Sequence, residues 1–192
     1  MLKDLILRNR SYRRFFERER ITEIQLKEWI ELARISSSAR NAQPLKYILV
    51  TDEDQCQQLF PLLSWAGYLK DWGGPASGER PAAYIVMLMD REITVNRFCD
   101  DGIAAQSIML GAVEAGYGGC IIASVKRGEL QKIFKLDDRY EVIQVLALGK
   151  PAETVVLEEI KDGDYKYWRD DKNIHHVPKR SLDELILKAG EA

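Results

Sequence analysis

The most constraining feature of this 192-residue sequence is a stretch from Asp100 to Ala115 that is apolar on nearly every side when it is read as a helix. A helix that is apolar all round must be buried on more than one side. We therefore expect it either to run through the middle of the domain or to face a partner subunit as well. Gly116-Tyr117-Gly118-Gly119 then predicts its end, and Cys120-Ile121-Ile122-Ala123 predicts a buried strand.

These glycines argue against one common class of fold. A nicotinamide-binding Rossmann domain carries Gly-x-Gly-x-x-Gly between a strand and a helix, whereas here a helix precedes the glycines and a strand follows them. Three other apolar runs predict buried strands, at 47–51, 82–89 and 140–148. Thr22-Glu23-Ile24-Gln25 is a capping box and predicts the start of a helix. The length suits a single domain over residues 1–192.

Composition limits the class of protein. A hydrophobic share of 46% and a charged share of 30% are typical of globular chains, and a net charge of −2 gives no field that would attract nucleic acid. No apolar run is long enough to span a bilayer, and the first residues lack a secretion signal. Three widely spaced cysteines suit a reducing compartment, and the adjacent His175 and His176 would point apart rather than share a metal. We expect a cytoplasmic protein without a metal, nucleic-acid or membrane partner.

A basic cluster lies near the start of the chain, where four arginines surround Ser11: Arg8, Arg10, Arg13 and Arg14. Guanidinium groups bind phosphate in a bidentate manner, and a serine hydroxyl adds a further hydrogen bond. The alternative is a basic turn on a solvated surface, which is the more common fate of such clusters.

Two connecting segments have unusual compositions. Residues 36–44 are small and polar and end at Pro44, which predicts either a polar cradle for a ligand or a plain connection from helix to strand. Residues 64–80 mix aromatic side chains with glycines. This segment predicts either a lid over a flat ligand or a surface loop whose aromatic side chains enter the core.

The last part of the chain, from about 150 to Pro178, is polar and aromatic with little periodicity. We expect it to lie across another surface because it is hard to stabilise alone. Ser181 and Glu184 form a second capping box, and Lys179 and Arg180 precede that predicted helix, whose N-terminus favours an anion.

Three segments, in this order, resemble the nitroreductase family of FMN-dependent oxidoreductases: Arg10-Ser11-Tyr12-Arg13, Ser38-Ala39-Arg40-Asn41-Ala42-Gln43-Pro44 and Lys179-Arg180. The glycine turn after the apolar helix is similar to that family too, and the resemblance spans essentially the whole chain. It implies an α+β fold with a mainly antiparallel central sheet flanked by helices, in an intertwined homodimer. Residues 150–192 would then be an arm around the partner.

The resemblance also implies two FMN sites, each built from both subunits. Arg10 and Ser11 would hold the phosphate together with Lys179 and Arg180. Arg13 would face the N1/O2 edge of the flavin.

The remaining contacts implied by the resemblance come from two other segments. Ser38, Ala39 and Asn41 would belong to the other subunit, with Gln43 close by. Ile122-Ala123-Ser124 would run past the isoalloxazine ring through its backbone. Many members of the family have a proline where Ser37 stands, and some have an acid-glycine pair where Ala123 and Ser124 stand. Residues 64–80 have no reliable match.

The activity that the resemblance implies is transfer of a hydride from NADH or NADPH, via flavin N5, to an electron-poor acceptor such as a nitroaromatic or a quinone, with ping-pong kinetics. FMN carries the chemistry, so no catalytic side chain is named. Three alternatives remain: a flavin-binding or regulatory protein with little turnover, a reductive dehalogenase relative with the same FMN site, and a phosphate-binding module without flavin.

Overall fold

In a computed structural model of the protein, residues 1–188 and 190 are described. They form two compact units. The first contains Met1–Trp65 and Gly73–Ala152, and the second contains Ala66–Trp72 and the chain from Glu153 onward. Among the described residues, no helix combines the length and the apolar character needed to cross a membrane.

The first unit is built on a sheet of four strands: β1 (Leu45–Val50), β2 (Ala83–Asp90), β3 (Gly118–Ile122) and β4 (Tyr140–Gly149). The strand order is β1-β2-β4-β3, and every neighbouring pair is antiparallel. All eight residues of β2 are buried, as a strand covered on both faces requires. The predicted antiparallel central sheet is therefore confirmed, and the three apolar runs and the predicted strand at 120–123 match its strands to within a few residues.

Helices cover this sheet: α1 (Leu2–Arg8), α2 (Glu23–Arg34), α3 (Glu53–Leu59), α4 (Asp100–Glu114) and α5 (Arg127–Ile133). The predicted capping box begins α2. The Thr22 side chain accepts a hydrogen bond from the amide of Gln25, and the Gln25 side chain accepts one from the amide of Thr22. Asp52 caps α3 in a similar way through the amide of Gln55. The helices and the sheet together give the α+β class that was predicted.

Helix α4 is buried on most of its circumference, as its sequence predicts. Ile108 and Met109 lie in the core with residues of α2 and of the sheet. Gly111 permits the close approach of α2, because a Cβ atom there would lie 2.5 Å from Cδ1 of Leu32. Ile103 nevertheless keeps 38% of its surface exposed, so one side of α4 is open in the single chain.

The second unit contains a small sheet that the sequence analysis did not predict. Its strands are β5 (Val155–Glu159), β6 (Trp168–Arg169) and β7 (His175–Lys179), with β7 parallel to β5 and antiparallel to β6. Strands of two and five residues are too short to display a clear alternation of buried and exposed positions. The role of this segment as an arm stays a prediction.

His176 joins the parts of this sheet. Its ring stacks on that of Trp168 at a centroid distance of 4.0 Å. Nδ1 is hydrogen-bonded to the Glu158 carboxylate, and Nε2 lies 3.4 Å from Oδ2 of Asp170. Burial alone would lower the pKa of His176, but the bonds to the two carboxylates outweigh it and raise the pKa above its ordinary value.

We expect His176→Gln to remove a stabilisation that depends on pH. Because the folded pKa is raised, the native state holds the proton more tightly than the unfolded chain does. The stabilisation is therefore complete below the unfolded pKa of about 6.5 and is lost as the pH rises through the folded value. Thermal unfolding from about pH 5 to about pH 9 measures it as a difference between wild type and variant that shrinks with rising pH. Glu158→Gln should reduce the same dependence, and a difference that grew with pH would contradict the assignment.

Two glycines give a second test of the fold. A Cβ atom at Gly119 would lie 2.3 Å from the backbone oxygen of Ala147, which cannot move without disturbing the pairing of β3 with β4. We expect Gly119→Ala to lower the free energy of unfolding by about 1–3 kcal/mol. At Gly102, in α4, the described chain places no atom within 4 Å of such a Cβ apart from the adjoining residues and the backbone of the same helix. Gly102→Ala should therefore stabilise by roughly 0.5–1 kcal/mol, and urea unfolding that ranked the two variants in the opposite order would refute this packing.

Candidate functional site

The predicted phosphate-binding segment is held against α4 and β3. Nδ2 of Asn9 donates to Oε1 of Gln106 at 3.3 Å, which fixes the end of α1 on α4. Ser11 then forms a parallel bridge with Gly119, and the amide of Tyr12 donates to the carbonyl of Gly119 at 2.9 Å. Ser11 thus lies beside the start of β3, where its side chain is exposed.

The four arginines of this segment have different surroundings. Arg8 pairs with Asp4 at 3.1 Å, and Arg14 binds the Glu79 carboxylate with two hydrogen bonds. Arg13 is only 8% exposed, and its Nη1 donates to the carbonyl of Ser11 at 3.2 Å. The segment is therefore not simply a solvated basic turn. Two of its charges are matched by carboxylates.

Arg10 is the residue whose surroundings best fit an anionic ligand. Its Nη2 donates to the carbonyl of Ile6 at 2.5 Å, but its Nε is buried and has no hydrogen-bond partner within the part of the chain that the structure describes. A buried donor left without an acceptor is destabilising, and more so on a charged group. A phosphate at Arg10 and the exposed Ser11 hydroxyl would supply the missing acceptor. The residues present therefore fit the phosphate of FMN.

The segment from Ser36 to Pro44 is strained. Arg40 and Asn41 have φ values of 55°, and Gln43 has 52°, so three residues without glycine's freedom adopt the left-handed conformation. Each such residue costs on the order of 1–2 kcal/mol. Strain of this kind persists where the surroundings enforce it, and it clusters at functional sites. This observation favours the predicted polar cradle over a plain connection.

A carboxylate that the sequence analysis did not identify holds this loop. Asp100, the first residue of α4, is 5% exposed and accepts from Oγ of Ser38 at 2.5 Å and from the amide of Ala39 at 2.9 Å. Oγ of Ser38 in turn accepts from the amide of Gln43 at 2.9 Å. An acidic residue in the first turn of a helix is common, and its partner Ser38 lies 62 residues earlier. No local pattern therefore pointed to this role.

A cavity of about 370 Å³ opens beside the loop. Helix α2, strand β1 and helix α4 form its walls, and its polar lining includes Ser38, Gln43, Tyr47 and Asp100. Burial, and secondarily the Asp100 carboxylate, raises the pKa of Tyr47 to about 12. The Tyr47 hydroxyl is therefore neutral near neutral pH and able to donate a hydrogen bond. The volume lies within the range of small-molecule sites, about 300–1,000 Å³.

The predicted ring-binding segment lies at the end of β3. The Ile122 side chain is buried in a second apolar cluster of the first unit, so it is not available to a ligand, whereas Ala123 and Ser124 are exposed. Nη2 of Arg127 donates to the carbonyl of Ala123 at 3.1 Å, and the amide of Ser64 donates to the carbonyl of Ser124 at 2.9 Å. These bonds hold the backbone in place. The contact with the flavin ring stays a prediction.

Lys179 and Arg180 belong to the second unit. Lys179 is the exposed last residue of β7, and Arg180 pairs with Glu184 on the short helix α6 (Leu182–Leu185). The predicted start of this helix is confirmed, since Oγ of Ser181 accepts from the amide of Glu184 at 3.2 Å. A cavity of about 460 Å³ within this unit is lined by Lys179, Arg180 and apolar side chains. Their binding of the phosphate stays a prediction.

The aromatic segment 64–80 is divided between the units. In the first unit, the Trp65 ring lies against Gly74, where a Cβ atom would be 2.7 Å from Cδ1 of the ring. In the second unit, Tyr68 packs on Tyr167 at a centroid distance of 4.9 Å, and Arg169 lies 4.6 Å from the ring centre of Trp72. These contacts anchor the aromatic side chains. The role of the segment as a lid stays a prediction.

Comparison with known proteins finds similarity to the nitroreductase family. The sequence model of the nitroreductase family matches residues 76–150, which contain α4 and the strands on both sides of it. MhqN of Bacillus subtilis (strain 168), assigned as an NAD(P)H nitroreductase, is 24% identical over 181 residues, covering 76% of this chain and 86% of its own length.

Solved structures agree in fold. The NADPH:FMN oxidoreductase of Vibrio harveyi, complexed with NAD⁺, superposes with a TM-score of 0.63 at 25% identity, over 79% of this chain and 69% of its own. A nitroreductase family protein of Streptococcus pneumoniae TIGR4 has a TM-score of 0.69 at 15% identity, over 98% of this chain and 100% of its own. The predicted nitroreductase-like fold is thus confirmed. The chain is thus similar to the nitroreductase family in sequence over residues 76–150 and in its overall fold.

Proposed function

We propose that this protein is an FMN-dependent oxidoreductase that takes electrons from NADH or NADPH and passes them to an electron-poor small molecule, such as a nitroaromatic or a quinone. The observation that carries the proposal is the buried Nε of Arg10, a cationic donor without an acceptor in the described chain, beside the exposed Ser11. Relatives named as an NAD(P)H nitroreductase and as an NADPH:FMN oxidoreductase support the choice of cofactor and donor.

The protein's part in this activity is to bind and to provide charge. FMN, when bound, supplies the hydride chemistry at N5. Arg10 and Ser11 bind the phosphate through charge-assisted hydrogen bonds. The Arg13 guanidinium, buried and oriented by the carbonyl of Ser11, stabilises negative charge at the N1/O2 edge as a preorganised cation does. Because donor and acceptor would use the same flavin face in turn, we expect ping-pong kinetics, and no proton-transferring side chain is assigned.

We further propose that two copies of the chain form each site. The loop residues Ser38, Ala39 and Asn41 then bind the flavin held by Arg10 of the other copy. The open side of α4 at Ile103 and the exposed apolar side chains of α1, among them Leu2 and Leu7, support a partner surface on the first unit. The mass of the purified protein in solution decides between one copy and two.

The spectrum of the purified protein tests the activity directly. We expect a yellow protein whose released pigment is FMN, which NADH or NADPH bleaches and which a nitroaromatic or a quinone restores. A colourless protein would favour a phosphate-binding module without flavin. A yellow protein that neither nucleotide bleaches would be a flavin-binding or regulatory protein.

Arg10→Gln tests the phosphate assignment. Loss of a hydrogen bond to a charged group costs about 1.5–3 kcal/mol, so we expect the dissociation constant for FMN to rise roughly 10- to 150-fold. Fluorescence titration of the flavin measures the change. Arg18→Gln is the matched control, because it removes the same charge from an exposed turn nearby and should leave the affinity unaltered. Equal affinities in both variants would show that Arg10 does not bind the phosphate.

A further inference from the structure

We propose that Asp100 is a positioning residue for the loop of residues 36–43, which it holds in its binding conformation from within the same chain. The inference rests on the proposed function, because it concerns the loop proposed to bind the flavin. Asp100 would not contact the flavin itself. It would act indirectly, because its two carboxylate oxygens accept hydrogen bonds from the Ser38 hydroxyl and the Ala39 amide.

The geometry links the two ends of the strained loop. Oδ2 of Asp100 fixes a side chain, the Ser38 hydroxyl, and Oδ1 fixes a backbone group, the amide of Ala39. Because Oγ of Ser38 also accepts from the amide of Gln43, one relay runs from the helix through Ser38 to the far end of the loop. Arg40 and Asn41, both left-handed, lie inside the ring that this relay closes.

The charge on Asp100 is unusual for its burial. Asp100 is 5% exposed and has no ion-pair partner among residues 1–188 and 190, whereas its neighbour Asp101 pairs with Arg97 at 3.0 Å. The two hydrogen bonds and the N-terminal end of α4 must therefore stabilise the carboxylate. A buried carboxylate is expensive to desolvate, so a neutral side chain would hold a plain connection more easily. The charged acceptor makes the two bonds stronger than neutral ones would be.

A second bond holds the start of the loop on the same face of α4. Oγ of Ser36 and Oγ of Ser107 are 2.8 Å apart. Ser107 follows Asp100 by two helical turns, so both side chains project from one face. This neutral pair holds the residues before the strained part, and Asp100 holds the strained part itself. Helix α4 is thus the support for the whole loop.

Positioning has a defined effect on affinity. For a ligand that binds only one conformation of a loop, the apparent dissociation constant equals the intrinsic dissociation constant divided by the fraction of chains in that conformation. If Asp100 keeps the loop ordered, its loss lowers that fraction and weakens FMN binding without removing any group that touches FMN. The same loss exposes Arg40 to protease, because cleavage requires an unfolded backbone at the cut.

The experiment compares Asp100→Asn with Asp101→Asn in the purified full-length protein. Asparagine keeps the shape of the side chain but not its charge, and Asp101→Asn removes one charge from the next position as a matched control. Limited trypsin digestion, followed by mass spectrometry of the peptide that begins at Asn41, reports the order of the loop. Fluorescence titration reports FMN affinity. For Asp100→Asn we expect several-fold faster cleavage after Arg40 and an FMN dissociation constant raised about tenfold. For Asp101→Asn we expect the cleavage rate and the FMN dissociation constant to stay within about twofold of wild type.

A second pair of variants covers the case in which Asp100→Asn folds poorly. Ser38→Ala removes the hydroxyl from the relay, whereas Ser38→Thr keeps it. Ser38 has φ −128° and ψ 142°, an extended conformation that a β-branched residue accepts. We expect fast cleavage after Arg40 for Ser38→Ala and the wild-type rate for Ser38→Thr.

The outcomes separate this inference from the proposed function. Wild-type cleavage rates in both Asp100→Asn and Ser38→Ala would overturn the positioning role, whatever the flavin affinity. Faster cleavage with unaltered FMN affinity in Asp100→Asn would overturn it too, because the loop would then not serve the flavin. A wild-type protein that binds no FMN would refute the proposed function, and the cleavage rates would still decide whether Asp100 orders the loop.

Discussion

The burial of α4 against the four-stranded sheet is the interaction on which the rest of the structure depends. Ile108 and Met109 lie fully in the core, and fully burying a side chain of this size contributes about 1.5–3 kcal/mol. The helix fixed in this way carries two separate parts of the chain. Gln106 receives the end of α1, and Asp100 receives the strained loop. A single core element therefore positions two of the three predicted flavin-binding segments of the first unit.

The loop combines two costs that ordinary connections avoid. Its three left-handed residues are strained, and the carboxylate that holds it is withdrawn from water. Each cost is offset by the other feature, since the carboxylate gains its hydrogen bonds from the loop and the loop gains its fixed conformation from the carboxylate. A substitution of either the carboxylate or a loop residue alone would leave the other without the feature that offsets its cost. Such an arrangement is easier to understand as a requirement of binding than as a device for stability.

Features with a local signature could be predicted from the sequence. The capping box at Thr22 and Gln25 begins α2, and the apolar run ending at Met89 is the buried β2, because both depend on neighbouring residues alone. The strands of the second unit were missed, since short strands lack a detectable period. Asp100 was missed for another reason. Its partners lie far along the chain, and only the folded core brings them together. The flavin contacts came from family resemblance, and they stay predictions.

The glycines at the start of β3 have a consequence for protein engineering. A Cβ atom at Gly118 would lie 2.7 Å from the Tyr12 ring, and one at Gly119 would clash with the backbone of β4. The segment that carries Ser11 therefore packs directly against the main chain of these two glycines. Saturation mutagenesis at these two positions should yield almost no tolerated substitutions. Libraries that aim to alter ligand binding are better directed to positions whose side chains face open space.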